Sequence, residues 1–184
     1  MAMKQTNFND LQTTKKGEIG EDLVKKWLEE KGWVIYEPTT DGPHVFDKLA
    51  IKDKKQIMII EVKTKARRNY YPDTGIDVRH YEGYKLITQI MKVDIFLVFV
   101  DEMIGQVYGN KLNFLEEPIE TSDCTKYPLI ENGIIYFPLE RMYKIAILDT
   151  SKVLELRKLN TRNYKYLGDR DFNGKGRNTE KFAS

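Results

Sequence analysis

One stretch, Val45 to Lys63 (VFDKLAIKDKKQIMIIEVK), limits what this chain can fold into more than any other. Side chains alternate between faces of a strand, so in its first half Asp47, Leu49 and Ile51 fall on the same face. Asp53-Lys54-Lys55 is polar and turn-like. Ile57-Met58-Ile59-Ile60 then runs almost unbroken into Glu61-Val62-Lys63, a pattern that suits a strand covered on both faces. Glu61 and Lys63 are two residues apart and share a face. A charge on a covered strand is costly unless it is paired or bound to metal. If the two strands form a hairpin, Asp47 and Glu61 meet at one end of the sheet. Two acids and a lysine there can hold a divalent cation and set an ammonium beside it. The same residues also suit an ordinary hairpin with a Glu61–Lys63 ion pair.

The flanking residues supply the layers. Residues 1–13 read as a flexible lead-in. Thr14 is placed to cap a helix from about Lys15 to Lys31, closed by Gly32. At about 100° per residue, Ile19, Gly20, Leu23, Val24, Trp27 and Leu28 form one apolar stripe. Glu18 falls on the solvent side with Asp22, Lys25 and Glu29. Glu21 lies at the stripe's border, where a carboxylate can reach over the sheet or turn to water. Trp33 to Tyr36 reads as a first strand and Glu37 to His44 as a loop. After Lys63, Lys65, Arg67 and Arg68 stand among Tyr70 and Tyr71. Such residues contact phosphates and stack on bases, and they also make ordinary solvated loops.

A second helix is expected from about His80 to Lys92, with Tyr84, Ile87, Ile90 and Met91 on its apolar side. Tyr81, Tyr84 and Lys85 are its candidate site residues. Asp94 to Val100 reads as a buried strand, with Met103 to Tyr108 as its hairpin partner. Asn110 to Asn132 reads as an excursion with a short helix. Ile134 to Phe137 is a further strand, Met142 to Leu148 another packed element, and Thr150 or Ser151 caps a helix to about Leu159. From Gly168 the chain is polar and glycine-rich, the composition of a disordered tail.

The length, 184 residues, suits one domain with a proper core. The domain is drawn at 14–167, with a core at 17–109, an elaboration at 110–167 and a tail at 168–184. A net charge of +2 means that any hold on nucleic acid must come from a local patch. The single cysteine, Cys124, excludes an internal disulfide framework and fits a reducing cytoplasm. No apolar stretch approaches the roughly 18–20 residues of a membrane span. There is no dinucleotide fingerprint, P-loop or cysteine–histidine zinc spacing.

Asp47, thirteen intervening residues, then Glu61-Val62-Lys63 resembles the core motif of the PD-(D/E)XK nuclease superfamily, which includes many restriction endonucleases and the archaeal Holliday-junction resolvases. Gly17-Glu18-Ile19-Gly20-Glu21 has the spacing of the Gly-x-x-x-Glu segment on the first helix of many members. The sequel, Leu23 to Ile35, is similar to the resolvase pattern of helix, glycine and first strand. The motif's acid often follows a proline directly, whereas here Phe46 precedes Asp47.

The resemblance covers about residues 17–109. It implies an α/β fold, restriction-endonuclease-like, with a mixed central sheet flanked by helices in the order αβββαβ. It implies Mg²⁺-dependent hydrolysis of phosphodiester bonds in DNA, with Mn²⁺ able to substitute. Asp47, Glu61 and the main-chain carbonyl of Val62 would hold the metal, and Glu21 would bind a second one directly or through water. Lys63 would orient the attacking water or stabilise the transition state. Lys65, Arg67, Arg68, Tyr70, Tyr71, Tyr84 and Lys85 would face the nucleic acid. Junction resolvases, restriction-type and repair-type nucleases all fit, and RNA remains open beside DNA. Many members pair into homodimers, since two strands need two sites. The alternative is a non-catalytic nucleic-acid-binding module that kept the fold. Such a binder gains nothing from acids facing phosphates.

Overall fold

The computed structural model describes residues 11–39, 44–68, 71–122 and 124–159. Residues 1–10 of the lead-in, Tyr70 and the tail from Gly168 lie outside them.

Helix α1 runs Gln12–Glu30, followed by strands β1 (Val34–Tyr36), β2 (Lys48–Lys52), β3 (Gln56–Thr64) and β4 (Asp73–Asp77). Helix α2 (Val78–Met91) leads to β5 (Asp94–Val100), β6 (Gln106–Lys111) and the short α3 (Leu112–Leu115). Then come β7 (Ile119–Glu120), β8 (Lys126–Tyr127), β9 (Leu129–Glu131), β10 (Ile134–Pro138), β11 (Tyr143–Ile147) and α4 (Thr150–Lys158). The main sheet has the order β1-β2-β3-β5-β6-β11. Its β3–β5 pair is parallel and its other pairs antiparallel, so the sheet is mixed as expected. A smaller sheet, β4-β10-β9, and a two-stranded ribbon, β7-β8, complete the fold.

The two central strands explain the layers. Along β3, Ile60 and Val62 join a core with Val24 and Leu28 of α1, Val98 of β5 and Leu156 of α4. Ile59 joins the other core, with Tyr84 of α2, Leu97 and Phe99 of β5, and Ile135 and Phe137 of β10. Both faces of β3 are therefore covered, as its apolar run requires. At about 25 cal/mol per Å², each such buried aliphatic side chain contributes on the order of 2 kcal/mol before entropy is counted.

Several boundaries differ from the sequence reading. Helix α1 begins at Gln12 after Leu11, with no side-chain cap, so Thr14 lies inside it. Gly32 does turn the chain, at φ +82. On α2 the buried side is Tyr84, with Tyr81 and Ile87 half-buried against the core; Ile90 and Met91 face out, at 71% and 44% exposure. Met103 to Gly105 is the turn before β6 rather than part of it, closed by Gly105 at φ +70. Residues 73–77, to which the sequence reading gives no element, form β4. No helix among the described residues is long and apolar enough to cross a membrane.

Candidate active site

The β2–β3 ladder ends at the pair Lys48↔Ile60. Beyond it, the Val62 N–H points at an edge with no strand opposite. Asp47, the residue before β2, fills that place: its Oδ2 accepts from Val62 N at 2.7 Å. The motif's first acid is thus fixed to the main chain beside its second. A residue's N–H and C=O leave a strand on the same edge, so the Val62 carbonyl opens toward Asp47 as well.

Glu61 points to the opposite face from Val62, toward α2. It is 3% exposed. Its Oε1 accepts from Lys63 Nζ at 2.5 Å and from the Tyr84 hydroxyl of α2. Its Oε2 is buried and has no hydrogen-bond partner among the described residues. The ordinary Glu61–Lys63 ion pair therefore exists, but it saturates only one oxygen. Burial, then the charges of Glu61 and Glu21, push the Asp47 carboxyl up to about 7, against the Val62 N–H and Lys63. Burial and the charge of Glu61 also raise the Tyr84 phenol, which stays a proton donor.

Glu21 reaches the site from α1 because the helix packs hard on the end of β3. A Cβ on Gly20 would lie 1.9 Å from Thr64 Oγ1, so only glycine permits this approach. Glu18 is exposed and Glu21 half-buried, as the helical wheel predicts. Glu21 is engaged, however, by a residue the motif does not include. Lys48 Nζ lies 3.3 Å from Glu21 Oε2 and 2.7 Å from Glu37 Oε1. Lys48 is 1% exposed, and Glu37 also pairs with Lys25. The only sign of Lys48 in the sequence is a lysine opening an apolar strand. Glu37 read as loop.

The donors suit a hard divalent cation, which takes oxygen ligands and keeps several waters. Two carboxylates and a main-chain carbonyl edge supply them, and the buried Glu61 Oε2 is an acceptor atom already stripped of water. Among the described residues, no three Asp, Glu, His or Cys side chains form a metal-holding group. Glu21 stands at the border of the site, paired with Lys48.

The basic tract is placed differently from expectation. Lys65 Nζ donates to the Gly75 carbonyl at 2.8 Å. Arg68 forks onto the fully buried Asp73, reaches Glu131 at 2.7 Å, and lies over the rings of Tyr71 and Tyr136 at 4.4 and 3.8 Å. These two side chains tie the loop to the second sheet. The Arg67 N–H donates to Asp101 Oδ2 at 3.4 Å. Tyr84 is buried against Glu61 and has no face for a base. Lys85 pairs with Glu116 at 3.1 Å, and Tyr71 is 45% exposed. His44 is exposed.

No family model matches the chain, and no curated protein matches it. Among solved structures, it is similar to a Holliday junction resolvase from the archaeal hyperthermophile Archaeoglobus fulgidus. That match has 12% identity and a TM-score of 0.51, covering 71% of this chain and 93% of the resolvase. A bacterial homing endonuclease matches at 15% identity and a TM-score of 0.42, over 67% of this chain and 72% of that one. At such identity the resolvase likeness is one of fold alone, a mixed central sheet flanked by helices.

Proposed function

We propose that the chain is a metal-dependent nuclease that hydrolyses phosphodiester bonds in DNA. One observation carries the reading: Asp47 and Glu61 converge at the end of the sheet with Lys63 beside them, one carboxylate oxygen buried without a partner and the other acid raised by its acidic neighbours. A cluster of acids held out of water is costly, and a cation relieves that cost. Asp47, Glu61 and the Val62 carbonyl would hold Mg²⁺, or Mn²⁺ in its place. The bound ion would polarise a phosphate and make water more acidic.

The chain's own groups do the rest. The Val62 N–H fixes Asp47. Tyr84 and Lys63 both hold Glu61 Oε1, so Oε2 is left facing the cation position. Lys63, 27% exposed at its side chain, has room to swing from Glu61 toward a bound phosphate. There its ammonium would meet the charge that develops in the transition state. Glu21 would support the cation from the border.

The resolvase of the same fold acts on Holliday junctions, which makes branched DNA the first substrate to try. A second copy of the chain would supply the site for a second strand. A cytoplasmic setting suits the lone thiol, Cys124. Cleavage of linear duplex, nicked, flapped, single-stranded and four-way-junction DNA, with and without Mg²⁺, tests the reading. Metal-dependent products that vanish in Glu61→Gln are expected. Failure to cut any of the five, or full activity in Glu61→Gln, would refute it.

A further inference from the structure

A lysine buried to 1% exposure beside an acid cluster needs a reason. Burial strips an ammonium of water, so it persists as a charge only against counter-ions. Among the described residues Lys48 has two, and they are unequal. Glu37 Oε1 is at 2.7 Å and Glu21 Oε2 at 3.3 Å. The tighter partner is itself anchored, because Glu37 also pairs with Lys25. The looser one is the glutamate that borders the cation position. Glu37 therefore keeps Lys48 compensated when Glu21 turns away.

We infer that Lys48 is a positioning residue for Glu21, and the internal cation with which a divalent ion must compete for that carboxylate. The inference rests on the metal-site reading above. The arrangement has a plain consequence. Lys48 parks Glu21 at the border of the site, where an unpaired acid would otherwise turn to solvent. It also holds that carboxylate against an ammonium, which lowers the site's affinity for a divalent ion. The Glu37–Lys48 pair sets how readily Glu21 is released.

Structural and competitive roles predict opposite signs for one pair of variants. Lys48→Met keeps the buried length without the charge. Glu21 and Glu37 are each 33% exposed at the side chain and can turn to water, and Glu37 keeps Lys25. The fold should therefore survive. Glu21, no longer held by an ammonium, is then free to serve the divalent ion, and binding should tighten on the order of tenfold under near-aqueous screening. Glu37→Gln keeps a hydrogen-bond acceptor but leaves the ammonium dependent on Glu21, so binding should weaken.

The experiment is calorimetric titration of the full chain with MnCl₂ alone, without DNA, beside thermal melting in chelator. Lys48→Met should bind more tightly than wild type and Glu37→Gln more weakly. In a Glu21→Gln background, Lys48→Met should lose most of its gain. If both single variants weaken binding in step with their melting points, Lys48 is only structural and the inference falls. An unchanged affinity in Lys48→Met overturns it too. Asp47→Asn separates this failure from a broader one. If that variant binds Mn²⁺ as wild type does, or wild type does not bind, the metal site is misplaced and both readings fall. If it abolishes binding while Lys48→Met changes nothing, only the role of Lys48 is refuted.

Discussion

Replacing Asp47 by asparagine should stabilise the metal-free protein, although it removes the first acid of the motif. The amide oxygen still accepts from Val62 N, so the hydrogen bond survives. What disappears is a carboxylate held near Glu61 and Glu21 and largely out of water. Its folded value is about 7 against an ordinary 3.8. The folded state therefore keeps a proton that the unfolded state releases, and stability falls as pH rises between these two values. The gap spans roughly 3 pH units at 1.36 kcal/mol each, an upper bound of about 4 kcal/mol. Water that enters as the charge appears reduces this to about 2 kcal/mol. For a chain of this size that is roughly 4–8 °C in melting temperature. The assay is thermal unfolding of both proteins in chelator, from about pH 4 to pH 8. The variant's advantage should be small near pH 4, grow to about pH 7 and then level off. Titrating groups remote from Asp47 are common to both and cancel, while Glu61 and Glu21 lose an acidic neighbour in the variant, which adds to its advantage. Mg²⁺ should raise the wild-type midpoint and leave the variant's nearly unchanged, which reduces or reverses the order. An advantage that does not vary with pH, or a less stable variant at pH 8 without metal, would refute the acid-cluster reasoning.

Tyr84→Phe removes a buried donor from Glu61 Oε1 and should slow single-turnover cleavage about tenfold, about 1.4 kcal/mol on the barrier; an unchanged rate would show that the phenol does not position Glu61. Arg68→Ala leaves Asp73 fully buried with Tyr127 as its remaining side-chain partner, and should cost about 3–5 kcal/mol in urea unfolding. A variant as stable as wild type would restore Arg68 to the pool of phosphate contacts. Gly20→Ala should lift α1 from Thr64 and slow cleavage with little loss of β-sheet signal. Glu21→Gln should slow cleavage about 100-fold, near 2.7 kcal/mol, and Glu18→Gln hardly at all; the reverse order would place the wrong face of α1 at the site.

The parts of the fold that were legible in sequence were those whose evidence is periodic and local. The apolar run of β3 can be satisfied only by cover on both faces, and both covering layers are there. The wheel of α1 separated Glu21 from Glu18 without reference to any other element, because a helix fixes angular position by itself. The limits of the same method show on α2. Ile90 and Met91 are apolar, yet the helix outruns the layer beneath it, and periodicity carries no information about where a neighbour ends. Strand β4 escaped notice for a related reason. Asp73-Thr74-Gly75-Ile76-Asp77 has almost no strand character of its own and is held by pairing with β10, some sixty residues later.

The basic tract shows what separates a candidate site from a real one. Lys65, Arg67 and Arg68 look alike in sequence, because a positive charge is read without its counter-charge. The partners of Arg68 are Asp73 and Glu131, one five residues away and the other sixty-three. Arginine between two acids and two aromatic rings is already doing what arginine does well, forking and stacking at once. Lys48 is the converse case. Nothing in its neighbourhood in sequence marks it, since its partners come from α1 and from the end of β1. Charge in this protein is thus spent in two ways that sequence does not distinguish. At Arg68 it closes a surface. At Asp47, Glu61 and Lys48 it is left deliberately incomplete, with acids that outnumber their donors and one oxygen that has none. Structural charge networks tend toward saturation, whereas a binding site must hold back a valence for its ligand. By that criterion the unsatisfied end of β3, rather than the lysine- and arginine-rich loop that follows it, is where chemistry is to be sought.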